Sequence, residues 1–200
     1  MLNRMNAIKL RDELFSELHS ECLKAAGFRK KGRWSIREGD EVAHTFFLRS
    51  RRFSNVAEAS FWIDVQIFSE RYHQLLFSPS PYKGPSEGTQ CLLLRGLPDW
   101  TWPAKGMAIK AESDMGSIKP LLMQSILQQA LPFLDGCRSH AEVLRNLLHS
   151  EEDSLLEIAG LYRLLGNDEQ ARIYINKAKS AATHENELRF LELREAKLWP

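Results

Sequence analysis

Apolar residues recur at helical spacing over residues 7–26: Leu14, Phe15, Leu18, Cys22 and Ala26 form one stripe, and Arg11, Glu13, Glu17 and Lys24 fall largely off it. Gly27 stands where a helix-ending glycine belongs, because only glycine takes the left-handed conformation there cheaply. The spacing then changes to two. A strand is predicted over 33–38, a turn at Glu38-Gly39-Asp40, and a second strand over 42–49. The clearest alternation is Ser60–Phe68, with Phe61, Ile63, Val65 and Ile67 on one face and Trp62, Asp64, Gln66 and Phe68 on the other. It predicts an antiparallel sheet with one face packed on a helix and the other partly polar. Residues 78–90, rich in Pro, Ser and Gly, read as a loop. Strand-like segments follow at 91–95 and 107–112, separated by GLPDWTWPAKG.

From Ile118 the period returns to helical. Ile118, Leu121, Leu122, Ile126 and Ala130 make one stripe, ended or kinked near Pro132. Ser139 with Glu142, Ser150 with Asp153, and Asn167 with Gln170 each offer a capping side chain and a partner three residues on, so three more helices are expected. A last helix is expected over 185–198. The fold class is therefore α+β: a helix, an antiparallel sheet of about four to five strands, then a helical C-terminal third. The expected division is an α+β domain over 1–135 and a helical extension over 136–200.

Composition narrows the function classes. With 44% apolar and 26% charged residues, the 200-residue chain has the balance of a packed globular protein. No apolar run approaches the roughly 20 residues that span a bilayer, and MLNRMNAIKLRDELF lacks the apolar stretch of a secretory signal. Cys22, Cys91 and Cys137 are odd in number and far apart, which fits small buried hydrophobes in a reducing cytoplasm. Net charge is +1, but residues 1–53 carry 12 basic and 7 acidic side chains. The basic end is thus the N-terminal lobe, and the whole chain is not basic enough for a dedicated nucleic-acid binder.

The order LKAAGFRKKGRWSIRE, VAHTFFLRSRRFS, ASFWIDVQIF, then CLLLRG with a nearby Trp resembles the bacterial family called domain of unknown function 4304, over about residues 8–148. Its most recognisable piece is Gly27-Phe28-Arg29-Lys30-Lys31-Gly32 before an aromatic strand. The chain departs from the family after the second strand: a Gln-Lys-Ser-like element usually sits there, and here the sequence is Leu48-Arg49-Ser50-Arg51. The resemblance implies a shared fold and no established activity. SLLEIAGLYRLLGNDEQARIYINKAKSAA in turn looks like one tetratricopeptide unit. Leu155, Ile158, Ala159, Tyr162, Gly166, Ala171, Ile175 and Ala178 fall at that repeat's large, small, aromatic and turn positions. An ordinary helical hairpin uses small residues at a tight crossing in the same way.

Three groups of side chains are candidates for function. Arg29, Lys30, Lys31, Arg33 and Arg37, joined by Arg49, Arg51 and Arg52, surround Trp34 and suit phosphate tracking with an aromatic platform; equally, Lys and Arg on a hairpin edge prevent sheet-to-sheet pairing. Asp64 and Gln66 beside Trp62 form a polar strand face that antiparallel pairing would bring to His44, or that simply meets solvent. Trp100 and Trp102, with Pro98 and Pro103, make an aromatic loop that either anchors a protein partner or folds back to seal the sheet. The six histidines show no HxH or HExxH spacing, so no metal is expected, and no phosphate loop or nucleophile elbow occurs. No cofactor and no catalysis are expected. The sequence favours a non-catalytic protein-interaction module, an immunity or accessory protein being one version. In that reading Trp62, Asp64, Gln66, Trp100 and Trp102 meet another protein. The alternative is nucleic-acid binding through the basic hairpin, with Arg29, Lys30, Lys31, Arg33 and Trp34.

Overall fold

The computed structural model describes residues 6–51, 54–85, 89–100, 106–110, 112–149 and 154–200. Trp102, Pro103, Arg52 and the Ser150–Asp153 capping pair lie outside the described residues. Among the described residues, no helix is long and apolar enough to cross a membrane. The architecture is α+β, with the helix, antiparallel sheet and C-terminal helices in the expected order. The chain forms two compact units. One comprises Met1–Glu38, Ala43–Ile67 and Leu94–Asp135; the other comprises Gly39–Val42, Phe68–Leu93 and Gly136–Pro200.

In the first unit, α1 (Ala7–Leu18) runs into a wider π-helical turn, His19–Leu23. Asn6 caps its start by accepting the Ile8 N–H. Its end is a paired closure at Gly27, whose φ is 86°: Phe28 N–H reaches Leu23 O, and Gly27 N–H reaches Lys24 O. The sheet runs β1 (Arg29–Lys31), β2 (Trp34–Arg37), β3 (Ala43–Ser50), β4 (Ala59–Phe68), β5 (Leu93–Leu97), and β6 (Met107–Ile109) pairs antiparallel with β4. The predicted strand over 33–38 is thus the second arm of a tight hairpin, Arg29–Lys31 being the first. Three consecutive cations give no alternation to read, so β1 is silent in the sequence pattern.

The face of the sheet bearing Phe46, Leu48, Phe61, Ile63 and Val65 meets the buried stripe Leu14, Phe15, Leu18 and Cys22, all at or below 3% exposure. Removing this much apolar surface from water at about 25 cal/mol per Å² is the main term that holds the layers together. Phe28 packs edge-on to Phe46 at 5.2 Å. Arg37 seals the rim: its guanidinium lies 4.8 Å over Phe28, donates to Ala26 O at 3.2 Å, and pairs with Asp135 at 2.8 Å.

The helical run after β6 begins earlier than its apolar stripe, at α3 (Glu112–Ser125). It does not end at Pro132 but passes through a π-helical turn, Ile126–Ala130, into α4 (Leu131–Asp135). Pro132 has no N–H to give and its ring crowds the carbonyl four residues back, so a wider turn just before it accommodates the ring.

The second unit contains a helix that the periodicity did not announce, α2 (Glu70–Phe77), capped by Ser69. It also contains α5 (His140–His149), α6 (Leu155–Leu164), α7 (Asp168–Ala181) and α8 (Glu185–Leu198). The Ser139/Glu142 and Asn167/Gln170 pairs cap α5 and α7 as read from the sequence. Between α6 and α7, Gly166 takes φ 78° and closes the first helix, and fully buried Ala159 and Ala171 let the two helices approach. Gly160 has a different reason: a Cβ there would stand 2.7 Å from the Tyr72 ring of α2.

Candidate functional site

Register decides which cations of the N-terminal lobe share a surface. Residues directly opposite in an antiparallel pair project to the same face. Lys31 is opposite Trp34 and Trp34 opposite Phe47, so the three form one row across β1, β2 and β3. Arg29, Ile36 and Thr45 form the next row. Trp34 stacks on Phe47 with centroids 4.1 Å apart and planes at 16°, a pair that fixes the indole on the sheet. Trp34 and Ile36 are half-buried, and the whole of β1 is exposed. Neither Arg29 nor Lys31 makes a salt bridge or side-chain hydrogen bond among the described residues. Arg33 lies opposite Leu48, whose N–H its carbonyl accepts at 2.9 Å, and so turns to the α1 side, where it donates to the Ser50 hydroxyl at 2.9 Å.

Lys30 does not join this surface. Opposite Ser35, it points to the α1 side, where it donates to the Ser16 hydroxyl and sits 5.9 Å over Phe15. Arg37 is likewise consumed at the rim of the core. Glu41, just after the turn of the next hairpin, is bound to His140.

Towards β4 the same sheet face changes character. Arg49 donates from Nη2 to Asp64 Oδ1 at 3.1 Å, its Nε makes an ion-pair contact with Oδ2 at 3.0 Å, and its guanidinium lies 5.2 Å over the Trp62 ring. Asp64 is only 3% exposed. Burial raises its pKa above the ordinary carboxylate value, while the adjacent Arg49 pulls it back down. Gln66 accepts from the Thr45 hydroxyl at 3.2 Å. The expected meeting of Asp64 with His44 does not occur. His44 falls one residue out of phase with Thr45 and so projects to the opposite face, where Arg37 binds its Nδ1 at 3.0 Å. Trp62 is closed over by the chain end of the aromatic loop: a Cβ on Gly106 would stand 3.0 Å from its indole. At the other end of that loop, Trp100 packs edge-on to Phe133 at 5.1 Å, and Ser125 donates to Pro98 O at 3.0 Å. The described parts of the loop are thus anchored to the fold.

One constellation escaped the sequence reading. Ser69 Oγ lies 2.7 Å from His140 Nε2, and His140 Nδ1 lies 2.9 Å from Glu41 Oε2. This is the order of a hydrolytic triad, but Ser69 and His140 are 2% and 1% exposed. Ser69 Oγ also accepts the Tyr72 N–H at 3.1 Å as the cap of α2. An acyl donor has no approach to such an oxygen, so the arrangement is a buried hydrogen-bond chain. Its one legible signal was Ser69 standing between a strand and Glu70. Among the described residues no three His, Cys, Asp or Glu side chains are grouped to hold a metal.

No family model, no curated protein and no solved structure matches this chain, so no relative's chemistry enters the reading of the site.

Proposed function

We propose that the chain binds single-stranded nucleic acid across β1–β3, through Arg29 and Lys31 with Trp34 as the stacking platform. The observation that carries the reading is the row Lys31–Trp34–Phe47. It sets a cation, a partly exposed indole and the ring that fixes it side by side on one face, with Arg29 in the next row. Phosphates need mobile cations and bases need an aromatic surface, and single strands offer both at once. The edge strand also explains why so short a segment carries three cations: it keeps its own unpaired backbone from pairing with another sheet.

The test is anisotropy of a labelled oligo(dT) of about 16 nucleotides, the upper site size of one such surface. Two cations predict a slope of log K against log salt of about −1.4 for a single strand. Trp34→Ala lowers affinity by about 5- to 150-fold, the 1–3 kcal/mol typical of one stacked base. Absence of saturable binding, or binding indifferent to salt, overturns the reading.

A second reading is a protein-interaction module, the class that the sequence favours, but with another surface than the Trp62 and Trp100 residues expected for it: α8, where Phe190 and Leu193, one turn apart, are 40% and 60% exposed. A nuclease-treated pull-down at about 150 and 500 mM salt separates the two: apolar docking survives the higher salt, phosphate contacts do not.

A further inference from the structure

We propose that His140 is a proton-sensitive latch that holds the N-termini of α2 and α5 closed while its ring is neutral. The geometry fixes the tautomer. Glu41 accepts from Nδ1–H at 2.9 Å, so Nε2 carries the lone pair and receives the Ser69 hydroxyl proton at 2.7 Å. The same Glu41 oxygen accepts the backbone N–H of His140 at 2.8 Å, in the first turn of α5. Ser69 in turn accepts Tyr72 N–H as the cap of α2. One imidazole therefore joins the caps of two helices.

Protonation reverses the bond to Ser69. Nε2 then becomes a donor, and Ser69 Oγ must accept from both His140 and Tyr72. The displaced hydroxyl proton needs a new acceptor at a residue 2% exposed. The imidazolium would also stand at the positive ends of two helices. The charged groups that face the ring act in both directions: Glu41 from the turn after β2 favours the cation, and Arg71 from α2 opposes it. Ser139 and Glu142 complete the start of α5, Glu142 accepting the Arg138 and Ser139 N–H groups. Burial outweighs Glu41 and lowers the ring's pKa below the ordinary histidine value.

The direction in pH follows. A histidine whose folded pKa lies below its unfolded value binds more protons unfolded. Stability is then full above about pH 6.5 and is lost as pH falls from there towards the folded value. The experiment is hydrogen exchange of the full chain at pH 7.5 and 5.0, corrected for intrinsic rate, with an NMR titration of the His140 ring. The expected result is a ring titrating below the ordinary 6.5, with protection of the Tyr72 and His140 amides falling by up to about 30-fold at pH 5.0. In His140→Gln that pH dependence is absent. A ring titrating at or above 6.5, or unchanged protection in the wild type, overturns the proposal; both readouts stand on the wild-type chain if the variant does not fold.

Discussion

Two ends of one sheet face, both rich in cations and tryptophan, are used in opposite ways. At β4 the cation is spent inside the fold: Arg49 neutralises the buried Asp64 and covers Trp62. At β1–β2 the equivalents, Arg29 and Lys31 beside Trp34, make no ion pair among the described residues. The difference comes from one carboxylate. A buried Asp cannot stay charged without a partner, so it recruits the nearest guanidinium; the edge strand has no such demand, and Arg29 and Lys31 stay exposed. A basic cluster in a sequence is therefore an upper limit on the cations that can meet a ligand.

The comparison predicts a separation between affinity and stability. Trp34→Ala has the largest effect, lowering single-strand affinity by about 5- to 150-fold in the anisotropy titration. Arg49→Ala does the reverse. It strands the Asp64 carboxylate and costs about 2 kcal/mol, discounted because Arg49 is 40% exposed, with oligonucleotide affinity unchanged. Thermal unfolding should show a midpoint lower by about 4–8 °C. If Arg49→Ala weakens binding as much as Trp34→Ala, the two ends are one site and the contrast fails. Replacing Arg29 and Lys31 together by alanine should flatten the salt slope by about 1.4 and leave stability within about 0.5 kcal/mol. The smallest effect is Gly106→Ala, about 1 kcal/mol in denaturant titration, because a Cβ at 3.0 Å makes the Trp62 indole yield. A neutral outcome there would show that the indole and its guanidinium are loosely held.

Much of the secondary structure was legible because periodicity and capping are local. The stripe from Leu14 to Cys22, the alternation from Phe61 to Ile67, the Ser139/Glu142 and Asn167/Gln170 caps and the turn at Gly166 each carry their own signal within a few residues. β1 and α2 were not legible. Arg29-Lys30-Lys31 has no apolar phase, and Glu70–Phe77 is too short for its stripe to stand out from a loop. The candidate site was legible only as a list. Arg29, Lys31 and Trp34 were on it, and so were Lys30 and Arg33, which belong to the other face.

By itself the sequence determined the order of the elements that carry an apolar period or a cap, the apolar side of each of those, and the residue types able to meet phosphate or an aromatic ring. Strand register alone decided that Lys31, Trp34 and Phe47 form a row, that Asp64 takes Arg49, and that His44 turns away from both. Packing alone decided that Ser69, Glu41 and His140, far apart in the chain, share one hydrogen-bond chain. The physical reason is common to both. A side chain's period is written in its neighbours along the chain, whereas its partner is fixed by which strands and helices come to lie beside it, where a shift of one residue sends every side chain to the opposite face.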